Sequence, residues 1–425
     1  MKLNCMVIEV ITIILGFFTV GSPLFGQARA FVWNDRATGS GYTNGYYQFN
    51  SASGANFVTN LATGKYRIDL PGLGVPGGVV HVTAYGGNHY CKPERWSPSG
   101  TTMQVFVDCF APSGLPVNGF FSLLFYTESS TVTSSDEAYL WADNATATTY
   151  TPNLAYQWNS KKLTNTMQHV GTGSYQATLS GLTTTGGTVL ATGYGSGPER
   201  CKVAQWYHAT SGLAVNVACF HADGSPADTQ FTLSFMSNVL IGGASAWADQ
   251  PYAQSYTPSQ TYQYSSTGST VTIGRTSLGT YNVSLPSQPP YNKTAAFVTA
   301  YGTTPDYCNV GSWVPSNSNQ YDTVININCY DRSGSPTDSF YTVQYMTDRP
   351  PYLFAKTDIS CGSRTVTVST GNGAGTCTKN TTNGKDDSAT FNDGAGNWAV
   401  ANCSDNNGSG GCRGSSGSGE CGIHN

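Results

Sequence analysis

The sequence predicts an all-β fold: three tandem antiparallel β-sandwich domains, Ig-like or small closed barrels, each with one disulfide, followed by a Cys/Gly/Ser-rich tail. Three observations carry this. One motif string occurs three times; its apolar residues alternate with a period of two; and helical 3.6-residue periodicity is absent. The string is clearest from Gly173-Ser-Tyr175-Gln-Ala177-Thr-Leu179 through Thr192-Gly-Tyr194-Gly195, Cys201-x4-Trp206, Val215-Asn-Val217-Ala-Cys219-Phe220 and Gly224-Ser-Pro226-Ala-Asp228 to Phe231-Thr-Leu-Ser-Phe235. The same succession runs from Gly64-Lys-Tyr66 to Phe125 and from Gly279-Thr-Tyr281 to Tyr345.

The first thirty residues read as an export signal, with Lys2 ahead of an apolar core from Val10 to Val20 and Ala28-Arg-Ala30 as a cleavage site. Boundaries follow from the period: signal 1–30, repeats 31–137, 138–243 and 244–358, and a tail 359–425. Each repeat opens on an aromatic strand containing Trp33-Asn-Asp35, Trp141-Ala-Asp143 or Trp247-Ala-Asp249, the tryptophans standing 108 and 106 residues apart. A degenerate fourth copy, Tyr352-Leu-Phe354-Ala-Lys356, lacks both Trp and Asp. In the Gly-x-Tyr strand, Tyr66, Ile68 and Leu70 alternate with Lys65, Arg67 and Asp69, as in a strand with one wet face, and Val80-His-Val82-Thr-Ala84 continues that pattern. Gly-x-Pro segments supply the turns. Eight short strands in about 107 residues are expected to bury a core alone, giving three separate beads.

The chain is exported on this reading and meets an oxidising environment, so its cysteines are expected to pair. Cys91 with Cys109, Cys201 with Cys219 and Cys308 with Cys329 are 18, 18 and 21 residues apart, as if adjacent strands held them. Zinc is disfavoured, since no repeat adds a Cys/His pair at metal spacing. In the tail, 13 of the 55 residues from Gly371 are Gly, a composition that predicts disorder unless cysteines staple it. Cys361, Cys377, Cys403, Cys412 and Cys421 make an odd number, leaving a thiol for a disulfide-linked dimer.

At 10% charged and 12% aromatic residues, with 49 Gly and 26 Tyr, polarity comes from hydroxyls and amides rather than charge. The few Lys and Arg are scattered, which excludes polyanion binding and makes nucleic acid an improbable partner. Catalysis has little support: five of the six histidines, His81, His89, His169, His208 and His221, share no repeat position, and Asp386-Asp387 lies in the tail. No cofactor is implied, and nothing after Phe31 has the apolar length to cross a bilayer as a helix.

Two constellations suit ligands. A surface Trp beside the Asp of Trp-x-Asp would stack a sugar while the carboxylate takes its hydroxyls, against a core Trp and a turn Asp. The Cys-x4-Trp tryptophan reads as packing on a cystine, leaving Tyr85, Tyr194 and Tyr301, each followed by Gly, as candidates for an exposed aromatic row. The whole string, with Val-Thr-Ala-Tyr-Gly, Cys-x4-Trp, Val-x-Cys-Phe and Gly-x-Pro-x-Asp-x-x-Phe, resembles tandem β repeats of uncharacterised secreted bacterial proteins over residues 31 to about 356. That resemblance implies export and bead architecture and transfers no site residue. The expected function is a secreted, non-enzymatic structural or adhesive surface protein whose partners are glycans or extracellular proteins. A carbohydrate-binding array and a secreted hydrolase or inhibitor are the alternatives. Differences between the copies, in the loops Gly86 to Tyr90 and Ser196 to Arg200 and in the tail, are where specific function is expected.

Overall fold

A computed structural model describes residues 28–127, 136–237, 242–288, 290 and 293–348, and beyond them only the backbone of five short strands between Thr365 and Ser416. Residues 1–27 of the expected signal, the degenerate Tyr352–Lys356 copy, Cys361, Cys412 and Cys421 lie outside the described residues, and the side chains of Cys377 and Cys403 are not described. Arg29 and Ala30, placed in the signal by the sequence reading, are buried in the first strand.

Each repeat contributes nine strands. The first holds β1 (Arg29–Asn34), β2 (Ser40–Tyr42), β3 (Gln48–Asn50), β4 (Phe57–Ala62), β5 (Lys65–Pro71), β6 (Val79–Tyr85), β7 (Tyr90–Ser99), β8 (Thr102–Phe110) and β9 (Phe120–Tyr126). The second holds β10 (Glu137–Ala142), β11 (Thr149–Tyr150), β12 (Gln157–Asn159), β13 (Thr166–Gly171), β14 (Ser174–Ser180), β15 (Thr188–Gly193), β16 (Arg200–Ala209), β17 (Gly212–Phe220) and β18 (Phe231–Met236). The third holds β19 (Gly243–Ala248), β20 (Ser255–Tyr256), β21 (Gln263–Ser265), β22 (Thr272–Ser277), β23 (Thr280–Leu285), β24 (Thr294–Tyr301), β25 (Tyr307–Pro315), β26 (Thr323–Tyr330) and β27 (Phe340–Thr347).

Within the first repeat the outer sheet runs β2-β4-β5-β8-β7 and the inner sheet β3-β1-β9-β6. The outer strand β5 behaves as its alternation predicts, with Tyr66, Ile68 and Leu70 buried and Lys65, Arg67 and Asp69 partly exposed. The inner strands do not: Val79 to Ala84 are all buried, and so is every residue of β18. One inner face, with Ala30, Val32, Val80, Val82 and Leu123, packs on its own outer sheet. The other face joins a central core of Phe31 and Leu124 from the first repeat, Tyr139, Leu190 and Met236 from the second, and Phe297 and Met346 from the third. A sheet covered on both faces needs apolar residues at every position.

The structure therefore corrects the expectation of three independent tandem sandwiches. The inner sheet of one repeat continues into the outer sheet of another: β6 pairs in parallel with β25 through Tyr85 and Val310, and β24 with β16 through Tyr301 and Val203. Two nine-stranded sheets result. At the third junction Gly195 N–H donates to Pro93 O at 3.0 Å, the counterpart of Gly86 to Val310 O at 2.8 Å and Gly302 to Val203 O at 2.9 Å. Proline has no N–H to return, so this junction keeps one bond of the pair. The three repeats close into an interwoven ring about a pseudo-threefold axis. The bead reading failed because a lone sandwich would leave the second apolar face of its inner sheet in water.

Disulfides join Cys91 to Cys109, Cys201 to Cys219 and Cys308 to Cys329, each pair facing across the ladder between the last two outer strands. In the tail, Thr365–Thr370 pairs with Gly373–Thr378, and Asp386–Asn392 pairs with Trp398–Ser404.

Candidate functional site

Tyr85 and Tyr301 end their inner strands and Tyr194 directly follows its own; all three are half-buried, and the structure places them in the repeat junctions rather than in an exposed row. Tyr85 lies 5.2 Å from Trp33 of its own repeat and 5.5 Å from Trp313 of the third, with Tyr47 completing the cluster. Tyr194 meets Trp141 at 4.9 Å and Trp96 of the first repeat at 5.5 Å; Tyr301 meets Trp247 at 5.1 Å and Trp206 of the second at 5.4 Å. Tyr156 and Tyr262 complete these clusters as Tyr47 does the first. Offset and edge-on aromatic pairs contribute about 0.5–1.5 kcal/mol each beyond their buried area. Burial also raises the phenol pKa of all three tyrosines.

The two tryptophans of a junction do different work. Trp96 and Trp206 donate from Nε1 to Gly77 O and Thr185 O at 3.0 Å, and Trp313 to Thr294 Oγ1 at 3.2 Å, so each is tied inside its own repeat. Trp141, Trp247 and Trp33, from the Trp-x-Asp motifs, pack instead on the cores of the first, second and third repeats. Each of these rings is engaged by three others, so the faces that a sugar would stack on are occupied by protein.

A second constellation, which the sequence reading missed, surrounds one end of the axis. There the loops after Tyr85, Tyr194 and Tyr301 meet the first residues of β7, β16 and β25. Each outer strand donates to the loop of the next repeat: Tyr90 Oη to Pro198 O at 2.7 Å, Arg200 Nη2 to Pro305 O at 3.0 Å, and Tyr307 Oη to Asn88 O. Two residues on, Lys92 Nζ donates to Glu199 O at 3.0 Å, Lys202 Nζ to Thr304 O at 3.0 Å, and Asn309 Nδ2 to Gly87 O at 2.8 Å. Turn glycines Gly114, Gly224 and Gly334, all with φ between +82° and +85°, press against the next repeat. A Cβ there would meet Ala222, Arg332 and Pro112 respectively at 2.4–2.9 Å.

The strand residues Tyr90, Lys92, Arg200, Lys202, Tyr307 and Asn309 line a cavity of about 60 Å³, together with Glu199, Asp306, Thr83, Thr192 and Thr299. Lys202 pairs with Asp306 at 2.9 Å, while Lys92 stands 3.7 Å from Glu199. Burial lowers both ammonium pKa values against the pull of these carboxylates, that of Lys92 to about 8. Arg200 is only 7% exposed, with its guanidinium 5.2 Å from the Tyr90 ring and 4.9 Å from Tyr307. The available signal was local: in so uncharged a chain, Arg200-Cys-Lys202, Tyr90-Cys-Lys92 and Tyr307-Cys-Asn309 set the charges beside the cystines.

No family model, curated protein or solved structure matches the chain. Among the described residues no group of three or more His, Cys, Asp and Glu is placed to hold a metal ion, and no helix is long and apolar enough to cross a membrane.

Proposed function

We propose that the protein is an exported, non-enzymatic structural or adhesive component of an extracellular surface, acting as a rigid threefold hub. The observation that carries this reading is the use made of the distinctive side chains: the junction aromatics and the axial Lys, Arg, Glu and Asp hold one repeat to the next. The signal-like N-terminus and the three cystines support export, because such bonds persist outside reducing compartments.

A glycan-binding role is the second reading, favoured by Tyr42, Tyr46 and Tyr252, which are 59–74% exposed. Planar rings of this kind stack sugars when displayed. The test is a screen of the full-length protein against soluble glycans and insoluble polysaccharides, run beside Tyr46→Ala and Tyr252→Ala. Retention on one polysaccharide that either substitution abolishes replaces the structural reading with a lectin. Retention on none, with deposition on the producing cell surface, supports the hub.

A further inference from the structure

We infer that the axial cavity binds a small anion of single negative charge, held by Arg200 and Lys92 where the three repeats meet. Three cations line the cavity, Lys92, Lys202 and Arg200, against two carboxylates, Glu199 and Asp306, so one positive charge is left over. The excess falls on Arg200. Lys202 has Asp306 at 2.9 Å and Lys92 has Glu199 within 4 Å, whereas Arg200 forms no salt bridge among the described residues. Its Nη2 is used by Pro305 O, and its Nε and Nη1 are buried without a partner. A guanidinium stays protonated in any protein, so burial cannot relieve it by neutralisation. The faces of Tyr90 and Tyr307 and the Tyr90 hydroxyl recover part of the lost hydration, but none of them carries a negative charge.

The ring does not need a cation at this position. The equivalent residues of the other repeats, Tyr90 and Tyr307, make the same bond to the next loop through a phenol oxygen. Arg200 therefore adds charge to a contact that Tyr already satisfies, which is costly unless something negative answers it. The space suits that answer: one water needs about 10–15 Å³ on this measure, so the cavity takes about four waters or one ion of about five non-hydrogen atoms. Chloride, formate and dihydrogen phosphate fall within that limit. An anion there would join Lys92 of the first repeat to Arg200 of the second, making ring closure sensitive to the surrounding salt.

The experiment is thermal unfolding of the full chain at constant ionic strength, with sodium gluconate replaced stepwise by chloride, bromide, formate or phosphate, and bromide anomalous scattering from crystals. The wild type is expected to gain a few degrees, rising with the logarithm of anion concentration as binding to the native state requires, and to show bromide beside Arg200. Arg200→Tyr, which copies the other two repeats, should fold and lose the response. A wild type indifferent to anion identity, an undiminished response in Arg200→Tyr, or water alone in the cavity overturns the site. Should Arg200→Tyr fail to fold, Lys92→Asn, which copies Asn309, decides in the same assay: a reduced response supports the site and an unchanged one overturns it. A failed glycan screen leaves these outcomes untouched.

Discussion

The junctions between repeats match one another ring for ring, whereas the residues facing the axis differ from repeat to repeat. Trp33, Trp141 and Trp247 each meet the same three partner types at centroid distances of 4.9–6.0 Å. On the axis, the strand positions occupied by His81 and Leu124 in the first repeat hold Leu190 and Ser234 in the second, and Phe297 and Gln344 in the third. A junction is made three times by the same pair of surfaces, so each copy must be complementary to the next. The axis is filled once, by all three repeats together, and there only the summed volume and polarity are constrained. Between these two buried regions, divergence thus collects on the axis rather than in the junctions.

The strongest way to break this contrast is to empty one junction. Trp141→Ala removes the ring that packs on the first repeat, and losing so large a partly buried aromatic costs up to about 3–5 kcal/mol. Because sheets run through the other two junctions and all three repeats share the central core, fluorescence and circular dichroism should report one coincident urea transition for the whole ring at a lower midpoint. Two separated transitions would mean that the repeats behave as beads after all. For the same reason the second repeat expressed alone should aggregate or self-associate, since it would expose the apolar axial face of Tyr139, Leu190 and Met236.

Next in size is loss of a cystine. Cys201→Ala with Cys219→Ala opens a loop of 18 residues, worth about 3 kcal/mol on the chain-entropy model. The same double substitution at Cys91 and Cys109, which closes a loop of equal length, should lower the unfolding midpoint equally if the repeats are equivalent outside the axis. Denaturant titration of the two variants side by side checks this.

The contrast also explains what was legible in the sequence. The alternation of β5, the facing cystines and the turn glycines are local consequences of strand and turn chemistry, and they recur in each copy, so a single chain displays them three times. Ring closure has no such local signature. His81 and Thr83 alternate with Val80 and Val82 as polar residues of a wet face would, yet they are 1% and 6% exposed because the next repeat covers them. Thr83 Oγ1 donates to Val298 O at 3.2 Å, and Thr232 Oγ1 to Val80 O at 2.7 Å, so the hydroxyls that looked solvent-facing bond across repeats. Tyr85, Tyr194 and Tyr301 misled similarly. A Tyr-Gly at a strand end reads as an exposed tip, but the glycine N–H makes the bond that joins the sheets and draws the ring into the junction. Only the apolar run from Phe120 to Tyr126, too continuous for a one-sided strand, hinted at a second covered face.

A gentler perturbation acts on the axis. His81 is completely buried, its Nδ1 3.2 Å from Thr192 Oγ1, and burial pushes its pKa down to about 3. Between that value and its unfolded pKa of roughly 6.5 the unfolded chain binds a proton that the native ring refuses. This contribution to stability is therefore complete above about pH 6.5 and is lost as pH falls, at up to about 1.4 kcal/mol per unit until the folded pKa is reached. His81→Leu, which copies Leu190, should leave stability at pH 7.5 within about 1.5 kcal/mol of wild type. It should also flatten the decline between pH 6 and 4 in acid titrations followed by circular dichroism. Parallel curves for the two proteins would show that His81 does not stay neutral in the native ring.

The smallest expected effect tests whether the odd junction is weaker for the reason given. Pro93 stands where the other repeats have Val203 and Val310, and its junction lacks the donor that those residues carry. Pro93→Val supplies an N–H, worth about 1 kcal/mol when satisfied. It also frees the unfolded chain from the proline ring, which costs about 0.4–1 kcal/mol. The two nearly cancel, so the unfolding midpoint should move little, and hydrogen exchange is the sharper measurement. If the Pro93 junction has the geometry of the other two, the amide introduced at position 93 will be protected to the same degree as those of Val203 and Val310. Rapid exchange there would mean that the first and second repeats are held by their aromatic cluster and the single Gly195 bond, and that the ring closes with one looser seam.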